Sequence, residues 1–344
     1  MLFRSIGRYF VPLLIMGSLF TTACDDDDTD SNSTEEKIRA NQRNVTADTS
    51  GNLYVDGELV YEMVGVEHGT FYMGSQATDP VGQNYRVDAQ STEGPVHSVS
   101  ISKDYLIGQT EVTQDLWIAV MGTDDPTAAK WKPLADTNND GYMNRYGERE
   151  AYNEAEDYSE GDGKGDKYPC YWLNYELIDE FIVELNKLTG AAYRLPTEAE
   201  WEFAANGGNE ATIVEENGGR RYHLWAGSDK SEEVCVFGNP SFEWGGVHLM
   251  EVKSKAANEL GLYDMSGNVW EWTADYYNAN FYAETNADQN SVDPICTTKS
   301  IFRCIKGGGW ESIDAYCYNS YRGIDCMAYT SNIRTYGFRL ACDK

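Results

Sequence analysis

Residues 261–272 place two tryptophans on either side of one carboxylate, directly after a glycine-rich turn. At the two-residue period of a β-strand, Trp270 and Trp272 point to one face and Glu271 points to the other. Such a strand buries two large rings and directs its carboxylate towards a specific partner. An ordinary strand with a surface glutamate is the alternative that this local pattern leaves open.

The charge balance limits the classes of partner. The 344 residues include 27 Lys and Arg against 56 Asp and Glu, which gives a formal net charge of −29. Nucleic-acid binding needs a basic surface, so we expect no nucleic-acid partner. The acidic excess fits a well-solvated exported protein and attracts divalent cations.

The N-terminus has the pattern of a lipoprotein signal peptide over residues 1–23. Arg4 and Arg8 supply a positive start, residues 11–20 are apolar, and small residues precede Cys24. The pattern resembles a bacterial lipobox, which predicts lipidation of Cys24 and a lipoprotein held in the bacterial outer membrane or at the cell surface. A plain secretory signal is the alternative, and the segment is too short to span a bilayer as a helix.

Residues 24–50 are acidic and polar, and they predict a flexible tether because they cannot bury a core. Aspartates 25–28 resemble the acidic tags of surface lipoproteins in gram-negative bacteria, and solvation of the anchor is the alternative. The ordered domain is predicted over residues 51–344, with an acidic insertion at about 123–168.

The insertion contains a candidate calcium loop. Asp136, Asn138 and Asp140 alternate as oxygen ligands, and a glycine follows at the sixth position. The twelfth position should carry a bidentate acid but is Gly147. A calcium site and a solvated acidic loop both remain open here.

Seven cysteines remain once Cys24 is assigned to the anchor. They are Cys170, Cys235, Cys296, Cys304, Cys317, Cys326 and Cys342. In an oxidising compartment this odd set predicts up to three disulfides and one free thiol, without defining which thiol is free.

Local signals predict an irregular α+β domain. Residues 53–61 form a hairpin pattern, and Thr113 is a plausible N-cap for a short helix. Residues 175–189 carry one apolar stripe at helical spacing, with Asn174 as the predicted cap at the start and Gly190 at the end. Thr197 with Glu200 forms a capping box for a further helix. We therefore expect one loop-rich α+β domain without repeats.

Seven segments in order resemble the formylglycine-generating enzyme family, also called sulfatase-modifying factors. They are residues 69–75, 95–97, 110–113, 194–201, 261–272, 306–310 and 337–340. The resemblance covers about residues 63–343. It implies an elaborated C-type-lectin-like fold, α+β and loop-rich.

The resemblance also implies where a copper centre would lie. Members that make formylglycine hold Cu(I) between two cysteines, two and seven residues after a tryptophan, and oxidise a cysteine of a sulfatase. Here that tryptophan is Trp310, the seventh residue on is Cys317, and the second is Ser312. Gly309 and Ile313 also depart from the family pattern. A serine hydroxyl does not replace a thiolate for Cu(I), so copper and formylglycine formation are not expected.

A structural calcium site is the second implication. The family pattern places side-chain oxygens at Asp264 and Glu271 and backbone carbonyls at Gly267 and Val269, a set of hard ligands that suits Ca²⁺. Glu111 matches a further acidic position of the family, and we expect it to join the same cluster.

We therefore predict a lipid-anchored, calcium-stabilised binding or scaffold module and not an enzyme. A protein or glycan ligand would lie in a groove lined by Trp270, Trp310, Tyr316, Tyr318 and Arg322, because aromatic rings stack on both. The alternatives are an oxidase that acts through Cys317 on a secreted substrate, and a component of envelope machinery.

Overall fold

The computed structural model describes residues 42–122, 165–171, 173–238, 249–286, 291–326 and 335–344. The predicted signal peptide and Cys24 lie outside these ranges, as do Asp136, Asn138 and Asp140 of the candidate calcium loop. Within the described ranges, no helix has the length and apolar character needed to cross a membrane.

The described chain consists mainly of short strands joined by long connections. The strands are β1 Val45–Ala47, β2 Leu53–Val55, β3 Glu58–Tyr61, β4 Met63–Val66, β5 Gly69–Met73, β6 His97–Ile101, β7 Tyr105–Gly108, β8 Tyr193–Arg194, β9 Val214–Glu216, β10 Gly219–Arg221, β11 Trp270–Tyr276, β12 Ser291–Val292, β13 Phe302–Lys306, β14 Gly323–Cys326, β15 Tyr336–Gly337 and β16 Ala341–Asp343. The α-helices are α1 Gln114–Met121, α2 Tyr175–Thr189, α3 Glu198–Ala205, α4 Ser231–Val234 and α5 Phe281–Asn286.

The strands form five small sheets. Their orders are β1-β2-β3, β10-β9, β14-β13-β11-β15, β12-β6-β5 and β4-β7-β16-β8. Strand β11 lies inside its sheet, antiparallel to β13 and parallel to β15, so Glu271 pairs with Lys306 on one side and Gly337 on the other. This pairing brings three of the segments that carry the family resemblance side by side.

Two of the predicted helices begin at residues whose side chains cap them, whereas Thr113 makes no side-chain cap hydrogen bond at the start of α1. Asn174 accepts a hydrogen bond from the N–H of Leu177 at the start of α2, and Gly190 ends it with a positive φ of 70°. Thr197 and Glu200 form the capping box that opens α3.

Aromatic packing holds α1 and α2 against the C-terminal segment. Trp117 of α1 stacks on Phe181 of α2 at a ring-centroid distance of 4.9 Å, and Phe338 meets Phe181 edge-on at 5.3 Å. All three rings are fully buried. Each such pair contributes about 0.5–1.5 kcal/mol beyond the area it buries.

Ordered structure begins earlier than the tether prediction allowed. Strand β1 pairs with β2 and buries Val45, and the backbone N–H of Arg43 donates to the carbonyl of Ala119. Arg43 also bridges Asp56 and Asp115. The prediction that residues up to 50 are flexible is therefore wrong at its C-terminal end, because a three-residue strand among polar neighbours gives no recognisable pattern.

Candidate functional site

The carboxylate between the two tryptophans forms a buried ion pair. Arg339 donates from Nε and Nη2 to the two oxygens of Glu271, each at 2.6 Å. The indole N–H of Trp201 donates to the same carboxylate at 2.7 Å. Arg339 uses its remaining donors on the carbonyls of Gly108 and Tyr263. All three buried side chains thus have partners, and the surface-glutamate alternative is wrong.

Two further acids lie in the same buried region. Glu111 accepts hydrogen bonds from the backbone N–H of Val269 at 2.9 Å and from the amide of Asn268 at 2.8 Å. Burial, with Asp264 and Glu271 nearby, raises the pKa of Glu111 well above its usual value. Three carboxyl groups therefore lie around one arginine, and this negative excess favours the protonated form of Glu111.

One carboxylate oxygen of Asp264 in this cluster accepts no hydrogen bond. Its Oδ2 accepts from the backbone N–H of Lys253 at 2.8 Å, whereas its Oδ1 is buried without a hydrogen-bond partner. Burial raises the pKa of Asp264 to about 6. A buried acceptor of this kind costs stability unless a cation or water satisfies it.

The donor set at this point fits a hard cation in part. Across the described ranges, no three His, Cys, Asp or Glu side chains converge as a metal-binding group. The implied calcium set needs only two carboxylates, Asp264 and Glu271, with the backbone carbonyls of Gly267 and Val269. Asp264 meets this requirement with its free oxygen, whereas Glu271 is shared with Arg339. The residues fit calcium with Asp264 as the principal side-chain ligand.

Ser312 forms hydrogen bonds within a glycine-rich turn. Its hydroxyl accepts the backbone N–H of Gly309 at 3.0 Å, and its own N–H donates to the carbonyl of Gly309 at 2.8 Å. Its carbonyl accepts the N–H of Gly238 at 2.7 Å. The residue that replaces the family's second copper cysteine is therefore used in local structure.

Cys317 lies beneath this turn with no exposed surface. Gly308 is directly above it, because a Cβ built at Gly308 would lie 2.5 Å from the Cys317 sulfur. The thiol lies 3.7 Å from the carbonyl of Ile313, and Cys317 shares a cluster of four buried residues with Cys235. Sequence reasoning missed Cys235 as a neighbour, since nothing in the spacing relates the two cysteines.

The predicted aromatic groove is only partly open. The Tyr316 ring is 42% exposed and lies 4.9 Å from Tyr321, which in turn contacts the buried ring of Trp270 at 5.9 Å. Trp310 is half-buried. An aromatic surface therefore exists around Tyr316, with Tyr321 as a member that the sequence prediction did not include and Trp270 as its support.

Arg322 does not line an open groove, and this part of the prediction is wrong. The residue is 3% exposed and donates to both oxygens of Glu198, at 2.6 and 2.9 Å. Its guanidinium also lies 4.1 Å above the ring of Tyr282. The sequence showed an arginine among tyrosines but did not show that Glu198, the first residue of α3, supplies its counter-charge.

Tyr318 contacts Arg86, and Arg86 lines a separate concave pocket. The guanidinium of Arg86 lies 4.1 Å above the Tyr318 ring and pairs with both oxygens of Glu93. Arg86, Arg221 and neighbouring residues line a pocket of about 200 Å³ beside the β9–β10 hairpin. This pocket was not predicted, because its walls come from two segments far apart in the chain.

The described cysteines carry free thiols. Cys170, Cys235, Cys296, Cys304, Cys317 and Cys342 are all unbonded. No disulfide joins these six residues in the structure, and the predicted set of up to three disulfides and one free thiol stays a prediction. Cys235 and Cys317 nevertheless lie in one cluster of four buried residues.

These features together define an α+β domain of short sheets built around a buried Trp-Glu-Trp strand, with a glycine-rich turn closing over one cysteine. The family model described as the sulfatase-modifying factor enzyme 1-like domain matches residues 54–344. The chain belongs to this family, as the resemblance predicted, and the α+β fold class is confirmed with it.

Relatives of known name agree with this assignment. The chain is 36% identical over 166 residues to the formylglycine-generating enzyme of Thermomonospora curvata, which is 45% of this chain and 51% of that protein. It is 29% identical over 291 residues to the chaperone protein LppX of Paenibacillus barcinonensis, covering 80% and 86% of the two chains. The match thus spans about half the length of the Thermomonospora enzyme and most of the chaperone.

Solved structures show the same fold. Treponema denticola variable protein 1 superposes with a TM-score of 0.56 at 24% identity, covering 85% of this chain and 98% of that one. PvdO from Pseudomonas aeruginosa gives the same TM-score at 21% identity, covering 88% and 99%. These similarities establish the fold, and the activity has to be argued from the residues of the site.

Proposed function

We propose that this protein is a lipid-anchored envelope protein whose formylglycine-generating-enzyme-like domain binds a ligand and does not catalyse oxidation. The observation that carries the proposal is the state of the cysteine site. Ser312 caps a turn in place of the second thiol, and Cys317 is fully buried beneath Gly308. One buried thiol beside a serine does not provide the paired thiolates that Cu(I) prefers.

The aromatic surface around Tyr316 is the proposed binding surface. Tyr316 is substantially exposed, and its ring is held by Tyr321, which keeps the ordering cost of binding low. Tyrosine rings stack on glycans and pack against polypeptide side chains. The relative matched over most of its length is named a chaperone, which supports a polypeptide as the preferred ligand.

The anchor and location rest on the N-terminal sequence. The apolar segment and the small residues before Cys24 support lipidation at that cysteine and export to the outer membrane or cell surface. The net charge of −29 fits a protein that works in solvent beside a membrane. Release of the protein by detergent and a lipid-modified Cys24 in mass spectrometry would support the anchor; an unmodified Cys24 in the mature protein would contradict it.

Calcium is proposed as a structural ion. Asp264 and Glu271 would supply carboxylate oxygens, and Gly267 and Val269 would supply backbone carbonyls. The ion would neutralise the excess carboxylate charge around Arg339 and tie the turn before β11. We expect EDTA to lower the melting temperature of the full chain and added Ca²⁺ to restore it. The Asp264→Asn variant should show a smaller EDTA effect, and an EDTA-insensitive wild type would contradict the proposal.

Binding is tested with the full chain in detergent. The probes are a reduced, alkylated unfolded protein and an immobilised glycan array. We expect saturable binding of the unfolded polypeptide that weakens at least about tenfold in Tyr316→Ala, a loss of about 1.4 kcal/mol. Tyr72→Ala is the matched control, because Tyr72 is similarly exposed, at 48%, on strand β5 of another sheet. Equal effects of the two variants would contradict the assigned surface.

The oxidase alternative is favoured by one observation, namely that Cys317 stays beside the glycine-rich turn in a chain related to formylglycine-generating enzymes. It is tested by adding Cu(I) to the reduced protein and measuring oxygen uptake with a cysteine-containing peptide. We expect neither stoichiometric copper nor turnover. Turnover by the wild type that is lost in Cys317→Ala would overturn the non-catalytic proposal.

A further inference from the structure

Two cysteines from distant parts of the chain meet in a small apolar cluster. Cys235 directly follows helix α4, and Cys317 ends a short 3₁₀ turn at Asp314–Cys317. Both belong to one cluster of four buried residues, with Trp225 and Val234 as the other two. The pair is distinct from the two positions that the family uses for copper, since only Cys317 belongs to those.

The backbone holds both cysteines in place. After Cys235, the carbonyl of Val236 accepts the N–H of Asn268 at 2.8 Å, and the N–H of Gly238 donates to Ser312 at 2.7 Å. The N–H of Cys235 itself donates to Ser231 at 2.8 Å. The segment that carries Cys235 is thus fixed to the segment that leads to Cys317, and these backbone bonds hold both cysteines in the cluster.

We propose that Cys235 and Cys317 form a disulfide in the exported protein. The two thiols lose two protons and two electrons and gain one S–S bond, while the disulfide of a thiol–disulfide oxidoreductase in the compartment is reduced to two thiols. The bond would join the α4 segment to the glycine-rich turn. It would also remove Cys317 from any metal or redox chemistry at this site.

The other described cysteines have different surroundings. Cys304 is buried and hydrogen-bonds to the carboxylate of Glu198, and Cys296 lies close to Asp275. The thiol of Cys342 lies against the carbonyl of Asp343 near the C-terminus. Membership of one small buried cluster singles out Cys235 and Cys317 among the six cysteines whose side chains the structure describes.

Burial determines when the bond can form. Cys235 is 1% exposed and Cys317 has no exposed surface, so an oxidoreductase cannot reach either thiol in the folded protein. The exchange therefore takes place during folding, before the cluster closes. The closed cluster then protects the disulfide from reductants.

The test uses the full chain isolated from the envelope of an expressing bacterium without reductant. The protein is denatured in N-ethylmaleimide, digested and analysed by mass spectrometry. We expect the peptides that contain Cys235 and Cys317 to be linked, unalkylated, and separated by dithiothreitol. Alkylation of both cysteines, or a link from either to another cysteine, would overturn the proposal.

Variants give a second readout. Cys235→Ala and Cys317→Ala should each leave the other cysteine alkylated, and each should lower the melting temperature by about 5 °C or more, because the bond closes a long loop. Under dithiothreitol each variant should melt close to the reduced wild type. The control Cys342→Ala should retain the linked peptides. A variant that melts like the oxidised wild type would overturn the proposal, and none of these results depends on whether the domain binds a polypeptide.

Discussion

The buried pair of Arg322 and Glu198 allows the assignment of Arg322 to be tested directly. In the Arg322→Met variant, a side chain of comparable length occupies the site without a charge, and the Glu198 carboxylate stays buried. That carboxylate loses both guanidinium hydrogen bonds, at 2.6 and 2.9 Å, and retains the hydroxyl of Tyr282 at 3.0 Å. The carbonyls of Thr92 and Asn278 lose a shared donor as well.

The expected loss of stability follows from the Glu198 carboxylate, which stays buried without its counter-charge. Burial opposes ionisation, but Arg322 holds the pKa of Glu198 at about 2, well below its ordinary 4.5. Such a shift corresponds to about 3 kcal/mol at neutral pH. Removal of one partner of a buried ion pair costs about 3–5 kcal/mol in measured cases. We therefore expect Arg322→Met to lose about 3–5 kcal/mol, a large part of the stability of an ordinary domain.

The loss should depend on pH. Because the folded pKa of Glu198 lies below the unfolded value, its stabilisation is fully present above pH 4.5 and disappears as the pH falls towards 2. In Arg322→Met the unpaired Glu198 carboxyl has a raised pKa, so it becomes protonated in mild acid and its buried charge no longer costs stability. The difference between wild type and variant should therefore be smaller at pH 4 than at pH 7.

Urea unfolding followed by tryptophan fluorescence measures this loss. Arg220→Met is the matched control, because Arg220 is exposed and lies 3.8 Å from Glu215; it should change the free energy of unfolding by less than about 0.5 kcal/mol. Adding Glu198→Gln to Arg322→Met should recover at least about 1 kcal/mol, since it removes the uncompensated charge. A fully stable Arg322→Met variant with impaired ligand binding would refute the burial argument and return Arg322 to the groove.

Three further substitutions test other parts of the structure. Gly308→Ala should lower the free energy of unfolding in urea by about 2 kcal/mol or more, because φ is +72° and the new Cβ would lie 2.5 Å from the Cys317 sulfur. The control Gly190→Ala has a similar φ of +70° but open space around the new Cβ, and it should cost only about 1 kcal/mol. Thr197→Ala should lose about 1 kcal/mol of unfolding free energy with the capping box of α3; no loss would contradict the cap. Burial and the nearby Glu198 raise the pKa of Asp275 to about 7. Its contribution to stability therefore falls as the pH rises from 4 to 7, and Asp275→Asn should flatten that slope in thermal unfolding.

Short-range features of this protein could be predicted from the sequence because their causes lie within a few residues. The apolar stripe and the two caps defined helix α2 at Tyr175–Thr189, and the pair Thr197 and Glu200 defined the start of α3. The strand period predicted that Trp270 and Trp272 of β11 share one face, and both rings lie in one core cluster. The order of the seven motifs indicated the family, and Ser312 marked the departure from its copper site.

The tertiary structure decided which charged and reactive groups meet. Arg339 is the counter-ion of Glu271 and Glu198 that of Arg322, and Cys235 is the neighbour of Cys317. In each case the partner comes from a distant segment, and charge or thiol chemistry alone does not select one partner among many in the sequence. Only the packing of β11 between β13 and β15 and the closure of the glycine-rich turn bring these groups together and bury them.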